Sequence, residues 1–197
     1  MTQRKGKRME RFNQYWAGLI LVLILSVFLQ LMPQWHSLLA FNSETVMAEG
    51  WPLISAHFIH LDWWHAWFNF IGLALIVLIW REYWSTRWLI NALLISGVAT
   101  SVMLWIIPVS VSFVGLSGVL HGLLAYCLIK DIRSGKKWMW LILIALVAKV
   151  GAELLGWEPE HFVGEYVSYI HAAGLVSSLL LYKLERRRIS DAVPLDK

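Results

Sequence analysis

The chain has 197 residues, of which 58% are hydrophobic and only 15% charged, with a mean hydropathy of +0.60. A soluble domain of this size cannot hide that much apolar surface, so the composition points to an integral membrane protein. The net charge of +4 argues no nucleic-acid partner, because the basic clusters lie against apolar segments and read as membrane anchors. Cys127 is the one cysteine in the sequence, which excludes an internal disulfide and a cysteine metal cluster and leaves a packing role.

Six apolar runs approach the roughly 20 residues that a bilayer demands. They extend approximately from Tyr15 to Met32, His57 to Ile79, Trp88 to Ile107, Ser117 to Ile129, Trp138 to Leu155 and Val167 to Tyr182. None shows strand alternation, so the sequence predicts an all-α membrane protein. A basic leader of about residues 1–14 (Arg4, Lys5, Lys7, Arg8, Arg11) precedes the first run. That run is longer than a signal core of about 7–15 residues and lacks a small-x-small site after it, which reads as an uncleaved anchor.

The outer loop from Pro33 to Pro52 mixes Trp35, Leu38, Leu39, Phe41 and Met47 with polar residues, a composition suited to lying partly in the interface. Of the 17 Lys and Arg, 16 fall in the leader, after segments two, four and six, or at Lys197, and the other loops contain none. The positive-inside rule then predicts both termini in the cytoplasm. Glu44, Glu49, Glu158, Glu160 and Glu165 occupy the opposite loops, and the polar tail of about residues 189–197 is expected to be disordered. Trp80, Trp84, Trp88, Trp138 and Trp140 suit an inner aromatic belt, and Trp35, Trp51, Trp63, Trp64 and Trp157 an outer one.

Segment four is the anomaly. Ser117 to Lys130 spans about 20 Å at 1.5 Å per residue, short of a hydrocarbon core of roughly 30 Å. The helix must therefore start below the outer surface. Pro108 ends the preceding helix, and Val109 to Val114 would descend as irregular chain, tolerated only inside protein or beside water. A recess with Ser117 at its floor follows. His171 lies 12 residues before Lys183, and Asn69 lies 12 before Arg81, so both stand about 18 Å above the inner boundary. His65 is one turn above Asn69. Three helices thus place polar residues in nearly one layer.

A serine hydroxyl becomes nucleophilic when a base takes its proton, and His171 is the base at matched depth. No acidic residue is expected to orient it, which favours a Ser-His dyad over a triad. Asn69, His65 and the Ser117 N–H at a helix start are candidate oxyanion donors. Gly118 and Gly122, with Gly174 one turn below His171, would let segments four and six pack closely.

These residues resemble the rhomboid intramembrane serine proteases: His60-x4-His65-x3-Asn69 in segment two, Gly115-x-Ser117-Gly118 opening segment four, and His171-x2-Gly174 in segment six. The resemblance implies one six-helix rhomboid-like domain over 1–197 with a short, deep-starting fourth helix. It also implies Ser117 as nucleophile, His171 as base, and His65, Asn69 and the Ser117 amide around the oxyanion. His60 would be a supporting residue near a water site, with His60, Gly115 and Gly118 lining the site; His121, one helical turn from Ser117, would also line it, stacking on His171, donating to substrate or standing as a buried, satisfied histidine. Three departures stand out: His121 where many rhomboids carry a tyrosine, Ile170 where alanine is usual, and a first outer loop without a Trp-Arg pair.

The compact chain and the run Ser117-Gly118-Val119-Leu120-His121-Gly122-Leu123 look like the rhombosortase branch. That branch implies membrane-anchored protein substrates with a C-terminal Gly-Gly-type motif, a transmembrane helix and a basic cluster, processed at a bacterial-type inner membrane. Neither cofactor nor metal is implied.

Among the remaining polar residues, Asp62 suits a helix N-cap. His57 reads as interfacial or as a helix-entry residue rather than catalytic, and His36 and His161 as solvated. Lys149 and Glu153, i and i+4 in segment five, form an ion pair that is either structural or borders the substrate entrance. Two other classes compete with the protease. One is a haem or metal protein liganded by His57, His60, His65, His121 or His171, although the HExxH zinc pattern is absent. The other is a catalytically dead adaptor, disfavoured because every candidate catalytic position holds a competent residue.

Overall fold

A computed structural model describes residues 15–157 and 166–192. The basic leader, Glu158, Glu160, His161, Glu165 and residues 193–197 lie outside the described residues. The chain runs as α1 (Trp16–Gln30), a 3-10 turn (Pro33–Trp35), α2 (His36–Leu39), β1 (Phe41–Asn42), α3 (Val46–Glu49) and α4 (Pro52–Ser55). A 3-10 turn (Ala56–Phe58), α5 (Trp63–Ile79), a 3-10 turn (Arg81–Tyr83), α6 (Thr86–Ile106) and β2 (Ser112–Phe113) follow, then α7 (Ser117–Arg133), α8 (Met139–Leu154) and α9 (Val167–Ala192).

The bundle is apolar outside as well as inside. Ile20, Leu21 and Ile24 on α1, Trp64, Phe68 and Ile71 on α5, and Leu141, Ile144 and Val147 on α8 are exposed, while Val119, Leu123, Tyr126, Cys127 and Leu128 bury α7 at the centre. Large exposed apolar faces on a folded chain belong against lipid. Thr86–Ile106 and Val167–Arg188 are each long and apolar enough to cross a bilayer. Two bent pairs, Trp16–Gln30 with Pro33–Leu39 (87°) and Pro52–Phe58 with Trp63–Ile79 (96°), also pass as combined spans. The protein is a multi-pass membrane helical bundle.

Several boundaries differ from the sequence reading. The second apolar run does not start its helix at His57; the chain turns sharply, and α5 begins only at Trp63, where the Asp62 carboxylate accepts the His65 N–H at 2.7 Å. The backbone of the bend at His60 is paired with a side chain of α1. The Gln30 amide accepts the His60 N–H at 2.9 Å and donates to the His60 carbonyl at 3.2 Å. The fourth and sixth runs extend beyond their apolar cores, to Arg133 and Ala192. His36 is half-buried with its ring at 3.1 Å from the Leu29 carbonyl rather than solvated. His57 is 1% exposed rather than interfacial, its Nε2 at 3.0 Å from both the Gly97 carbonyl and Ser101 Oγ.

The chain between α6 and α7 is irregular, as the Pro108 break suggests, and the first outer loop satisfies its backbone. β1 pairs antiparallel with β2, Phe41 opposite Phe113 and Asn42 opposite Ser112. The Val111 N–H donates to Ser43 Oγ at 2.9 Å, and the Gly115 N–H donates to the Ala56 carbonyl at 2.8 Å. Several backbone groups of residues 109–115 thus find protein partners despite the absence of helix.

At the opposite end, one buried carboxylate ties three elements together. Asp131, 1% exposed, accepts from Trp80 Nε1 at 2.8 Å, from the Tyr83 hydroxyl, and from Lys136 Nζ at 2.8 Å. Burial, and then the bond to Asp131, hold the Tyr83 phenol above its ordinary range, so it remains a donor. Asp131→Ala strands the indole and phenol donors, and by the usual cost of breaking a buried polar network it should destabilise by roughly 3 kcal/mol. Thermal unfolding in detergent should show a clearly lowered midpoint; an unchanged midpoint contradicts this role.

Candidate active site

Ser117 is the first residue of α7, which leaves its N–H without a carbonyl one turn back inside the helix. The chain reaches it through Gly115 at φ 121°, where a Cβ would sit 2.6 Å from the His65 ring. Glycine is therefore required there on two grounds, conformation and space.

His171 sits in the second turn of α9, 6% exposed, and its Nε2 is 3.1 Å from Ser117 Oγ. The two helices come this close because neither carries a side chain at the crossing. A Cβ on Gly174 would overlap the Gly118 carbonyl oxygen, and a Cβ on Gly118 would meet Ile170 at 2.8 Å. A Cβ on Gly122 would be 2.6 Å from the Gly174 carbonyl oxygen. Below the crossing, Ser177 Oγ lies 2.6 Å from Ser96 Oγ and carries the seam into α6.

The His121 ring stacks on His171 with centroids 4.0 Å apart and planes 22° apart, and its Nδ1 donates to the Ser117 carbonyl at 2.7 Å. His171 Nδ1 lies 2.8 Å from Glu153 Oε2, whose side chain is only 9% exposed. The expectation that no carboxylate reaches His171 is therefore overturned. Glu153 is a turn higher on α8 than the depth comparison allowed, and its long side chain reaches down across the helix interface. Lys149 Nζ, on the same helix face, holds the other carboxylate oxygen at 2.6 Å.

Ser117, His171, His121, His65 and Asn69 share one cavity of about 360 Å³, completed by Phe68 and Leu120. The Asn69 amide donates one hydrogen to the His65 carbonyl at 2.8 Å, which leaves the second for the cavity. His60 does not line the cavity; it is fully buried and edge-on to His65 with centroids 5.1 Å apart. Gly115 and Gly118 also stay off the wall and act through the approaches they permit. Phe68 and Leu120 were not singled out from sequence, although each is adjacent to or one turn from a residue that was. Among the described residues, no group of three or more His, Cys, Asp or Glu converges in a metal-binding arrangement.

The crossing makes a direct test. Gly174→Ala should separate α7 from α9, lower the unfolding midpoint and break the Ser117–His171 contact. Gly151→Ala on α8 meets nothing within 4 Å and should be neutral or stabilise by up to about 1 kcal/mol. Equal unfolding midpoints for the two variants would contradict the close-packed crossing.

No curated relative matches the chain at a significant level. A family model described as the rhomboid domain matches residues 47–188, from the first outer loop through most of α9. That span contains every residue of the cavity just described. The chain belongs to the rhomboid family, whose members are intramembrane serine proteases acting on membrane-protein substrates within the bilayer.

Proposed function

We propose that this chain is an intramembrane serine endopeptidase that works through Ser117 and His171 and cleaves a membrane-anchored substrate near its transmembrane segment. The observation that carries the reading is the 3.1 Å contact between Ser117 Oγ and His171 Nε2 inside a cavity. Ser117 Oγ attacks the scissile carbonyl carbon as its proton passes to His171 Nε2. The tetrahedral oxyanion collapses, the C–N bond breaks, and His171 gives that proton to the leaving amine. Water, or an amine acceptor, then attacks the acyl-enzyme; its proton goes to Nε2 and returns to Ser117 Oγ as the ester bond breaks.

The Ser117 N–H, the second Asn69 amide hydrogen and the His65 ring are the donors for the oxyanion. Loss of one such donor typically costs about 3 kcal/mol of barrier, so Asn69→Ala should slow cleavage on the order of 10²-fold.

In this reading all of 1–197 forms one domain crossing the inner membrane six times, with a short fourth helix starting at Ser117. Both termini are cytoplasmic and the cavity opens outward. The distribution of Lys and Arg supports that orientation.

The substrate class is a protein with a C-terminal sorting tail: a Gly-Gly-type motif, an apolar helix and a basic cluster. The rhombosortase-like run Ser117 to Leu123 supports it. A general rhomboid protease with other substrates is the alternative. A membrane-anchored reporter carrying such a tail, co-expressed with the chain, should lose its tail. Ser117→Ala and His171→Ala should each abolish this, and a Leu-Leu replacement of the Gly-Gly motif should block it. Cleavage that ignores the motif would overturn the sorting-tail assignment, and cleavage by Ser117→Ala would overturn the mechanism.

A further inference from the structure

We infer that Glu153 is a positioning residue for the acyl-transfer reaction: its carboxylate accepts the His171 Nδ1–H and holds the imidazole with its Nε2 lone pair on Ser117. This rests on the Ser117–His171 reading above and adds a third member to it.

The hydrogen inventory carries the argument. A carboxylate only accepts, so the 2.8 Å contact of Glu153 Oε2 with His171 Nδ1 places the ring proton on Nδ1. Nε2 is then bare and faces the Ser117 hydroxyl, which donates to it at 3.1 Å. A neutral imidazole without that partner divides between two tautomers, one of which presents an N–H to Ser117 and cannot take its proton.

The neighbouring ring agrees. The Ser117 carbonyl also only accepts, so His121 donates from Nδ1 and leaves Nε2 to accept from Lys149 Nζ at 3.1 Å. Lys149 in turn donates to Glu153 Oε1 at 2.6 Å. Its approach to His171 Nδ1 at 3.2 Å sets donor against donor and is contact without a hydrogen bond.

Magnitudes decide what Glu153 does. Opposite unit charges stand 2.8 Å and 3.2 Å from His171 Nδ1, so their potentials there largely offset one another. What survives the cancellation is direction. Glu153 fixes the tautomer and ring orientation, and Lys149 keeps the carboxylate seated while sparing the site a lone buried charge. Lys149, with its side chain 46% exposed, is at the rim, whereas Glu153 points inward. Glu153 therefore faces the histidine, while Lys149 holds it from the rim.

The test is the rate at which detergent-solubilised protein is phosphonylated by a fluorophosphonate probe, separated into probe affinity and inactivation rate. Glu153→Gln should slow inactivation by roughly 10²-fold to 10⁴-fold, the upper figure being that for an orienting carboxylate changed to an amide, with affinity within about twofold. Glu153→Asp should recover part of the rate. Lys149→Met, which leaves the carboxylate in place, should lose less than about 10-fold. Unfolding midpoints checked alongside separate rate loss from misfolding.

Glu153→Gln reacting at the wild-type rate overturns the proposal, as do equal losses in Glu153→Gln and Lys149→Met, which make the ion pair merely a structural clasp. Labelling that persists in Ser117→Ala overturns the nucleophile assignment instead, and so is distinguishable.

Discussion

Two backbones touch where Gly174 of α9 faces the Gly118 carbonyl of α7, and the polar interior is arranged around that contact. In a bilayer, lipid is as apolar as leucine, so helices gain little by burying leucine and associate where small residues allow close packing. The contact lies one helical turn or less from Ser117 and His171. A hydroxyl and an imidazole on separate helices can hydrogen-bond only if their axes come this near. Gly122, Ser177 and Ser96 continue the seam and hold the crossing in register.

Polar groups at membrane depth are costly unless paired, and here pairing follows function outward from the crossing. His171 is bonded on both ring nitrogens, to Ser117 and Glu153. His121 spans from the Ser117 carbonyl to Lys149. The Gln30 side chain secures the bend above α5, and the first outer loop secures the irregular chain above α7. The non-helical backbone leading to Ser117 is thus held by protein contacts, and the cavity begins at Ser117 itself. Rigid support behind Ser117 and His171 and free volume before them are what the proposed acyl transfer requires.

The placement of Ser117, His171, Asn69 and His65 was legible in the chain because a helix rises a fixed 1.5 Å per residue. Counting along each helix compares heights, and the four residues do share one cavity. It does not measure direction around the helix axis or the reach of a long side chain, and Glu153 was missed as a partner of His171 for that reason. The 96° bend before Trp63 was hidden because His57 to Leu61 is apolar enough to read as the same run as α5. Only Asp62 marked the boundary, and it does cap α5. The Asp131 network was also invisible, since its donors Trp80 and Tyr83 are 48 or more residues away in sequence and look like ordinary interfacial aromatics.

The most direct measurement is mass-spectrometric mapping of the fluorophosphonate adduct on detergent-solubilised protein, comparing wild type with His171→Ala. The account predicts a phosphonyl group on Ser117 in the wild type and none in the variant. An adduct on another residue, or equal modification of Ser117 without His171, would contradict it.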